Sequence, residues 1–361
     1  MEVTHWYKIQ IMGLLKFSNV GIKAISGTVP KKIVKTSDLT EFFPIEHLNR
    51  VIEATGIIER HLADENICAS DLCFNAACTI FNNTSISKDD IDVLIFVSQT
   101  SDYKTPATSI LLQNKLDLKK STIVYDINMS CSGFIHGLLM AYTFLQLPEI
   151  KNVMLLVGDT QSKIISPLDK STGLLFGDGG IASIITKGKQ FGDSYFSMNT
   201  DGAHINSNFI PAGGSRMMSS ELTLQNMQYD DGSIRNMEQV VMKGMDVFGF
   251  VISELPKDIK QLLEFAGKSV DDIDKFAFHQ SNNFMSNRVT KKLKVNSLKI
   301  LRSIQKYGNT GGASIPLTMI ENRTLINPGD SILMNAIGAG FVYGSVLINI
   351  ADCQILEMNE L

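Results

Sequence analysis

The segment KDDIDVLIFVSQ at residues 88–99 returns in altered form as VDDIDKFAFHQS at residues 270–281. The second copy begins 182 positions after the first, about half the length of the 361-residue chain. At the same offset Tyr125 matches Tyr307, so the similarity extends beyond one short motif. Internal repetition on this scale predicts two structurally similar halves.

Apolar runs of strand length alternate with segments of helical periodicity, which is typical of an α/β protein with a buried, mixed or parallel sheet. A further strand, alternating apolar and polar residues, is predicted from Phe17 to Ile25. The predicted buried strands are residues 92–97, 123–127, 151–157 and 180–186, and the clearest helices are 69–81 and 106–116. The division between the halves is expected near residue 190. We therefore predict three parts: an N-terminal extension 1–16, a first half 17–190 and a second half 191–361.

Composition excludes several classes of protein. A net charge of −4 argues against a broad nucleic-acid surface, which would normally make the chain basic. No apolar run reaches the roughly 18 residues that a membrane span needs. The five cysteines are an odd number without a disulfide or metal-ligand spacing, so free thiols in a reducing compartment are expected. We expect a cytoplasmic protein with no bound metal, no nucleic-acid partner and no membrane segment.

Cys131 follows the predicted strand 123–127 and stands at the start of an apolar helix, in the segment SCSGFIHGLLM. The free N–H groups and the helix dipole at such a position stabilise a thiolate, so we predict a lowered thiol pKa and a nucleophilic sulfur. The alternative is a small apolar side chain packed at a strand–helix junction.

The two halves differ where chemistry is expected. The position equivalent to Cys131 is Ala313, and the position equivalent to His279 is Val97. A thiolate and a histidine form a nucleophile with an acid/base partner, and an amide such as that of Asn309 can donate to a developing oxyanion. Because ligands of open α/β sheets bind beyond the carboxyl ends of the strands, these residues predict one site between the halves.

Two glycine-rich segments are candidates for binding motifs. GDGGIA at residues 177–182 fits the dinucleotide-binding pattern, but a β-branched strand follows it where that motif requires a helix. We interpret it as a turn between strands. In GAGFVYG at residues 338–344, Gly340 is a candidate oxyanion donor through its backbone N–H.

Six motifs stand in the order and spacing of β-ketoacyl-acyl-carrier-protein synthase III, which this sequence resembles from about residue 17 to residue 350. They are TGIIERH at 55–61, SCSGF at 130–134, GDGGIA at 177–182, HQSN at 279–282, GNTGGAS at 308–314 and GAGFVYG at 338–344. The resemblance implies the thiolase fold, a duplicated five-layer α-β-α-β-α sandwich, and a homodimer.

The resemblance also implies a mechanism without a cofactor, in which the substrates are thioesters of CoA or of phosphopantetheine. Cys131 would accept the acyl group from acyl-CoA or from an acylated acyl carrier protein. His279 and Asn309 would stabilise the enolate formed when malonyl-acyl-carrier-protein loses CO₂, a step of fatty acid biosynthesis. The backbone N–H groups of Cys131 and Gly340 would form the oxyanion hole.

Several positions depart from the family pattern. Arg50 and Lys170 stand where housekeeping members use a tryptophan and an arginine around the CoA adenine, and Ala54 replaces a further arginine. Phe284 replaces the arginine that helps to dock the carrier protein. A basic patch for an acidic carrier is predicted instead on one helix, from Arg288, Lys291 and Lys292. An ordinary solvated helix face is the alternative for this patch.

These departures leave a second function open, namely a specialised acyltransferase of secondary metabolism or of polysaccharide or lipid modification. A papain-like peptidase shares the order Cys, His, Asn but lacks that family's motif around the cysteine. Thiolase and HMG-CoA synthase need a second cysteine or a glutamate, and Cys353 lacks the glycine setting. A non-catalytic partner subunit of a synthase has no reason to keep all three site residues.

Overall fold

A computed structural model of the chain describes residues 13–361. Its strands are β1 (Leu14–Ser18), β2 (Val20–Val29), β3 (Ile33–Lys35), β4 (Glu59–His61), β5 (Val93–Val97), β6 (Ile123–Ile127), β7 (Asn152–Asp159), β8 (Gly179–Lys187), β9 (Asp193–Thr200), β10 (Asn208–Phe209), β11 (Met227–Gln228), β12 (Ile234–Arg235), β13 (Val241–Met242), β14 (Lys275–Phe278), β15 (Asp330–Gly338), β16 (Val342–Ile350) and β17 (Gln354–Glu360). Its α-helices are α1 (Ile45–Thr55), α2 (Ala69–Asn83), α3 (Thr108–Lys115), α4 (Gly133–Phe144), α5 (Gly244–Phe265), α6 (Asn283–Leu293), α7 (Ile304–Tyr307) and α8 (Ser314–Glu321).

The first large sheet has six strands in the order β17-β2-β8-β7-β5-β6. Strand β5 is parallel to both of its neighbours, β6 and β7, whereas β8 is antiparallel to β7 and β2. All five residues of β5, Val-Leu-Ile-Phe-Val, are buried, as a strand covered on both faces requires. The runs at 92–97, 151–157 and 180–186 were therefore correctly interpreted as buried strands. Residues 123–127 also form a strand, β6, but its predicted burial is wrong, because β6 lies at the edge of the sheet with Ile123 and Tyr125 exposed.

The second large sheet has five strands in the order β1-β9-β16-β15-β14. Strand β14 is parallel to β15, and the remaining pairs are antiparallel. The repeated segment forms the same structure in both halves: a 3₁₀ turn capped by a serine, Ser87 or Ser269, leads into β5 or β14. The internal similarity predicted from the sequence is thus present in the backbone.

Helices α4 and α8 lie between the two sheets and contact strands of both. Outside the first sheet lie α2 and α3, and outside the second lies α5, which packs on β9 and β16 and carries α6. Three large apolar clusters fill the interfaces between these layers. The predicted duplicated five-layer α-β-α-β-α sandwich is confirmed.

The ends of the chain cross between the sheets. Strand β1 pairs with β9 in the second sheet, while β17 pairs with β2 in the first. The single strand predicted from Phe17 to Ile25 is wrong, because the chain changes sheets at Asn19, whose φ is +61°. Of the predicted extension 1–16, residues 1–12 lie outside the described part and Leu14–Lys16 belong to β1. The division of the chain near residue 190 stays a prediction.

Aromatic packing joins the central layer to the second sheet. Tyr142 on α4 meets Phe196 on β9 edge to face, with ring centroids 5.0 Å apart, and Phe17 on β1 contacts both rings. Tyr142 and Phe196 are fully buried. Each large apolar side chain buried in this way contributes about 1.5–3 kcal/mol to the hydrophobic stabilisation of the fold.

All five cysteines are free, as expected from their spacing. Between residues 13 and 361, no helix combines the length and the apolar character that crossing a bilayer requires.

Candidate active site

Cys131, His279 and Asn309 line one cavity at the interface of the two halves. Cys131 lies between β6 and α4, His279 directly follows β14, and Asn309 stands between α7 and α8. Their exposed fractions are 9%, 7% and 5%, respectively. The structure therefore brings together the three residues that the sequence proposed as catalytic.

The turn before α4 positions Cys131. The backbone N–H of Gly133 donates to the carbonyl of Ser130 over 2.6 Å, which closes a tight turn around the cysteine. Gly133 must be small, because a Cβ atom there would lie 2.8 Å from Cγ1 of Val97 on β5. The helix begins only at Gly133, so the sulfur stands just before the first turn.

The predicted lowering of the thiol pKa is wrong. Burial raises the pKa of the Cys131 thiol to about 11, and the negative charge of Asp159 acts in the same direction. The nearby Ser130 hydroxyl and Asn309 side chain oppose this rise in the thiol pKa without overcoming it. The sequence indicates a helix start at this cysteine but not the degree of desolvation, which disfavours a charged sulfur in an apolar site. Cys131 is thus a neutral thiol in the free protein.

His279 is held by its backbone, whose N–H donates to the carbonyl of Asn335 on β15 over 2.9 Å. Burial lowers the pKa of the imidazole to about 4, so the ring is neutral at pH 7. Its Nδ1 atom is buried and has no hydrogen-bond partner among residues 13–361. A neutral imidazole can donate one hydrogen bond to a developing anion without bringing a charge into the cavity.

Asn309 is fixed through both its backbone and its side chain. Its N–H donates to the carbonyl of Leu175 over 2.9 Å, and its carbonyl accepts from the N–H of Gly177 over 3.0 Å. The side-chain oxygen Oδ1 accepts from the N–H of Gly311 over 3.0 Å. Because Oδ1 is occupied in this way, Nδ2 is the atom left to donate to a ligand.

The GDGGIA segment has a role that sequence reasoning missed. It leads into strand β8 as predicted, and no helix follows it. Gly177 also binds the backbone of Asn309, so the segment fixes a site residue of the other half. A Cβ atom at Gly177 would lie 2.2 Å from the carbonyl oxygen of Tyr307. The conspicuous glycines were the available signal, but their partner lies 132 positions away along the chain.

The backbone N–H groups of Cys131 and Gly340 donate to no acceptor within the part of the chain that the structure describes. Gly340 has a φ of +131°, which residues with a side chain rarely adopt. Its neighbours Gly338 and Phe341 line the cavity, although Gly340 itself is not among the lining residues. Gly338 also lies close to the turn that holds Cys131, since a Cβ atom at Gly338 would lie 2.7 Å from Ser132 Oγ.

The rest of the cavity wall is mainly apolar and was not predicted. The apolar residues that form it come from four separate regions of the chain, and only tertiary packing brings them together. The apolar lining residues are Leu175, Phe176, Met242, Val247, Val251, Met285, Ile337 and Phe341. A mainly apolar wall with a few polar groups is typical of sites that bind a small molecule.

Arg288, Lys291 and Lys292 line a second, open cavity between α5 and α6, together with Phe248 and Ile252. The Arg288 guanidinium lies 5.1 Å from the ring centroid of Phe284, which in turn stacks on Phe248 at 5.3 Å. The structure thus gathers the three predicted basic residues around one groove with an apolar floor.

Arg50 and Lys170 both lie near His47, whose pKa is lowered by burial and by these two positive charges. The Lys170 Nζ atom donates to the carbonyl of Asp231 over 2.8 Å, in the loop between β11 and β12. No group of three or more His, Cys, Asp or Glu side chains between residues 13 and 361 is arranged to hold a metal ion.

Comparisons with known proteins agree with this geometry. Residues 125–202 match the family model described as 3-oxoacyl-acyl-carrier-protein (ACP) synthase III, and residues 263–350 match the model of the C-terminal part of that synthase. A Fusobacterium nucleatum protein named beta-ketoacyl-acyl-carrier-protein synthase III is 33% identical over 91% of this chain and 98% of its own length. A protein of the same name from Caldanaerobacter subterraneus is 31% identical, with 91% and 97% covered.

A solved structure supports the same assignment. The 3-oxoacyl-(acyl-carrier protein) synthase from Burkholderia xenovorans LB400 superposes with a TM-score of 0.89 and 32% identity. The superposition covers 96% of this chain and 99% of that one. The chain therefore belongs to the β-ketoacyl-acyl-carrier-protein synthase III family, a family of condensing acyltransferases within the thiolase superfamily.

Proposed function

We propose that the chain catalyses a two-step condensation of fatty acid biosynthesis, in which Cys131 first accepts an acyl group and a malonyl thioester then extends it. The observation that carries the proposal is the convergence of Cys131, His279 and Asn309 on one cavity, with Nδ2 of Asn309 left free to donate. The substrates are an acyl-CoA or acylated carrier protein and malonyl-acyl-carrier-protein. No cofactor takes part.

In the first step the sulfur of Cys131 attacks the carbonyl carbon of the donor thioester. The bond from that carbon to the donor sulfur breaks, and the proton of the Cys131 thiol passes to the departing thiolate. Negative charge develops on the carbonyl oxygen, and the N–H groups of Cys131 and Gly340 are the proposed donors to it. Their lack of acceptors elsewhere in residues 13–361 supports this role.

In the second step the malonyl thioester loses CO₂, and the electron pair of the broken C–C bond forms an enolate. His279 and Asn309 donate hydrogen bonds to the enolate oxygen. The enolate carbon attacks the acyl group on Cys131, and the carbon–sulfur bond breaks to release the product. The Cys131 thiolate then takes a proton from solvent. The neutral His279 suits this step, since its low pKa prevents it from forming a stable ion pair with bound malonate.

We expect the two half-reactions to separate on mutation. His279→Ala and Asn309→Ala should each reduce malonyl thioester decarboxylation by about 100-fold or more, because each removes one donor to the enolate. Acyl loading of Cys131 should fall far less. Loading is measured by intact-protein mass spectrometry with a series of acyl-CoA and acyl-carrier donors, and decarboxylation by CO₂ release.

Cys131→Ala is the control, and it should abolish the acyl adduct. Absence of an adduct on the unmodified protein with every donor tested would overturn the proposal. Equal losses of loading and decarboxylation in His279→Ala and Asn309→Ala would instead show that the two roles are assigned wrongly.

The high thiol pKa predicts the pH dependence of Cys131 reactivity. With a pKa of about 11, the thiolate fraction should rise about tenfold per pH unit between pH 7 and 9. Alkylation of Cys131 by iodoacetamide, followed on the Cys131 peptide by mass spectrometry, should rise in parallel without a plateau. Cys131→Ser gives the background from the other cysteines. A plateau reached below pH 8 would contradict this interpretation.

We further propose that the groove of Arg288, Lys291 and Lys292 docks the acidic carrier protein. Reversing two charges with Lys291→Glu and Lys292→Glu should raise the KM for malonyl-carrier-protein at least about tenfold, because the cationic surface then repels the carrier. Reaction with malonyl-pantetheine, which has no protein surface, should change little. Steady-state kinetics with both substrates measures the difference.

Lys187→Glu together with Lys189→Glu is the matched control. These lysines stand at and beyond the end of β8, whose first residue Gly179 lies beside Thr310 at the site. Lys187 lies eight extended positions from Gly179, a distance of about 25 Å. An equal rise in KM in this control would indicate general charge repulsion and contradict the docking site.

We infer that the protein is a homodimer through strand β6, the outer edge of the first sheet. Its side chains Ile123 and Tyr125 are exposed, and Met140 on α4 is exposed as well. An edge strand that carries apolar side chains is a ready template for pairing with a second copy. The mass in solution should be about twice 39.8 kDa.

Multi-angle light scattering on the eluting protein measures that mass. Tyr125→Glu should shift the species toward the monomer by placing a charge in the contact. Leu298→Glu, at a side chain that is 84% exposed outside this edge, should leave the dimer intact. A monomeric unmodified protein would refute the proposal.

A specialised pathway is the alternative function. It is favoured by Arg50 and Lys170 at positions where the family's housekeeping members hold CoA differently, and by the engagement of Lys170 with Asp231. The same donor series distinguishes the two: loading from short acyl-CoA supports the fatty acid role, and loading only from other carriers supports the specialised one.

A further inference from the structure

We propose that Asp159 is a positioning residue for Asn309. Its carboxylate holds the glycine turn whose N–H group fixes the Asn309 amide with Nδ2 toward the substrate. This inference rests on the proposed decarboxylating role of Asn309. Asp159 does not line the cavity and contacts the site only through other groups.

The first half anchors the carboxylate. Asp159 is the last residue of β7 and is 0% exposed. Its Oδ1 atom accepts from the backbone N–H of Gln99 over 2.8 Å and from Ser98 Oγ over 3.3 Å, both just beyond β5. No ion pair found within residues 13–361 includes Asp159, so hydrogen bonds alone compensate its charge.

The other carboxylate oxygen reaches the second half. Oδ2 accepts from the N–H of Gly312 over 3.0 Å. Gly311 passes directly over it, since a Cβ atom at Gly311 would lie 2.4 Å from Oδ2, and its φ is +57°. The N–H of Gly311 then donates to Oδ1 of Asn309. The Asp159 carboxylate thus connects the end of β7 to Gly311 and Gly312, the turn that orients Asn309.

Orientation of the amide matters because its two ends have opposite hydrogen-bonding character. Reversal would turn Oδ1, an acceptor, toward the enolate oxygen, and the two would repel. The Gly311 N–H prevents reversal only while the turn keeps its place. A carboxylate suits the anchoring task because it accepts from several N–H and O–H groups at once, and bonds to an ionised acceptor are stronger than neutral ones.

The buried Asp159 carboxylate also acts on Cys131, and there its effect is unfavourable. Burial raises the pKa of Asp159 to about 6, and its negative charge raises the pKa of the Cys131 thiol. The titratable groups that face it are Cys131 and Cys73 of α2, both of which are neutral thiols near pH 7. The Asp159 charge disfavours the Cys131 thiolate. A positioning role in the decarboxylation step explains why a charged residue is nevertheless present there.

Asp159→Asn tests the proposal, since it keeps the shape but places an NH₂ group against one of the N–H donors. Malonyl thioester decarboxylation should fall at least about tenfold, because small displacements of a catalytic group are costly. Acyl loading of Cys131 should change less than about twofold. The decisive comparison is a double-mutant cycle: in the Asn309→Ala background, Asp159→Asn should cause no further loss of decarboxylation.

Ser98→Ala is the matched control, because it removes the 3.3 Å contact to Asp159, together with the 2.9 Å bond that Ser98 Oγ accepts from the Thr100 N–H, and leaves the bond between Asp159 and Gly312. It should retain decarboxylation. If Asp159→Asn does not fold, as judged by its thermal unfolding, Asp159→Ser replaces it. Equal losses in loading and decarboxylation, an additive effect with Asn309→Ala, or failure of both variants to fold would each overturn the proposal.

The unmodified protein separates this inference from the proposed function. If it neither loads nor decarboxylates any thioester, the proposed function fails and this inference falls with it. If it is active and Asp159→Asn decarboxylates normally, only the positioning role is refuted.

Discussion

Burial of the helix layer between the two sheets is the constraint on which the rest of the structure depends. Helices α4 and α8 contact strands of both sheets, so neither sheet can cover its inner face without them. The segments that lead into these helices carry the site residues: Cys131 stands just before α4, and Asn309 lies five residues before α8. The packing that stabilises the two halves therefore also sets the distance between nucleophile and donor.

The same burial determines the electrostatics of the cavity. It raises the pKa of the Cys131 thiol and lowers that of His279, so both groups are neutral near pH 7. A neutral site suits a reaction in which negative charge develops only transiently, on a thioester oxygen. Fixed N–H donors in a cavity of low polarity stabilise such a charge more effectively than solvated charged groups. Desolvation thus keeps Cys131 and His279 neutral, and neighbouring strands and loops hold their backbones in place.

Each half also depends on the other for precision. Asn309 is bound by Leu175 and Gly177 of the first half, and the turn after it is bound by Asp159. Strand exchange at both ends of the chain reinforces this dependence, because β1 completes the second sheet and β17 the first. The site is a product of the assembled pair of halves.

Local sequence was sufficient for part of this description. Continuous apolar runs predicted three buried strands of the first sheet, because a strand covered on both faces carries mainly apolar side chains. The repeat predicted the duplicated architecture, and the unequal residues at equivalent positions, Cys131 against Ala313 and His279 against Val97, indicated one site between the halves. These inferences held because periodicity and spacing are properties of the chain itself.

Tertiary structure alone decided the rest. The direction of the Cys131 pKa shift depends on how much water the fold removes from the sulfur, which no local pattern records. The change of sheet at Asn19 and the apolar wall from Leu175 to Phe341 arise from contacts between distant segments. The link from Asp159 through Gly311 to Asn309 spans 150 positions along the chain. The types and order of the residues therefore predicted the kind of chemistry. Desolvation and long-range packing set the protonation of the site residues, their orientation and the shape of the cavity.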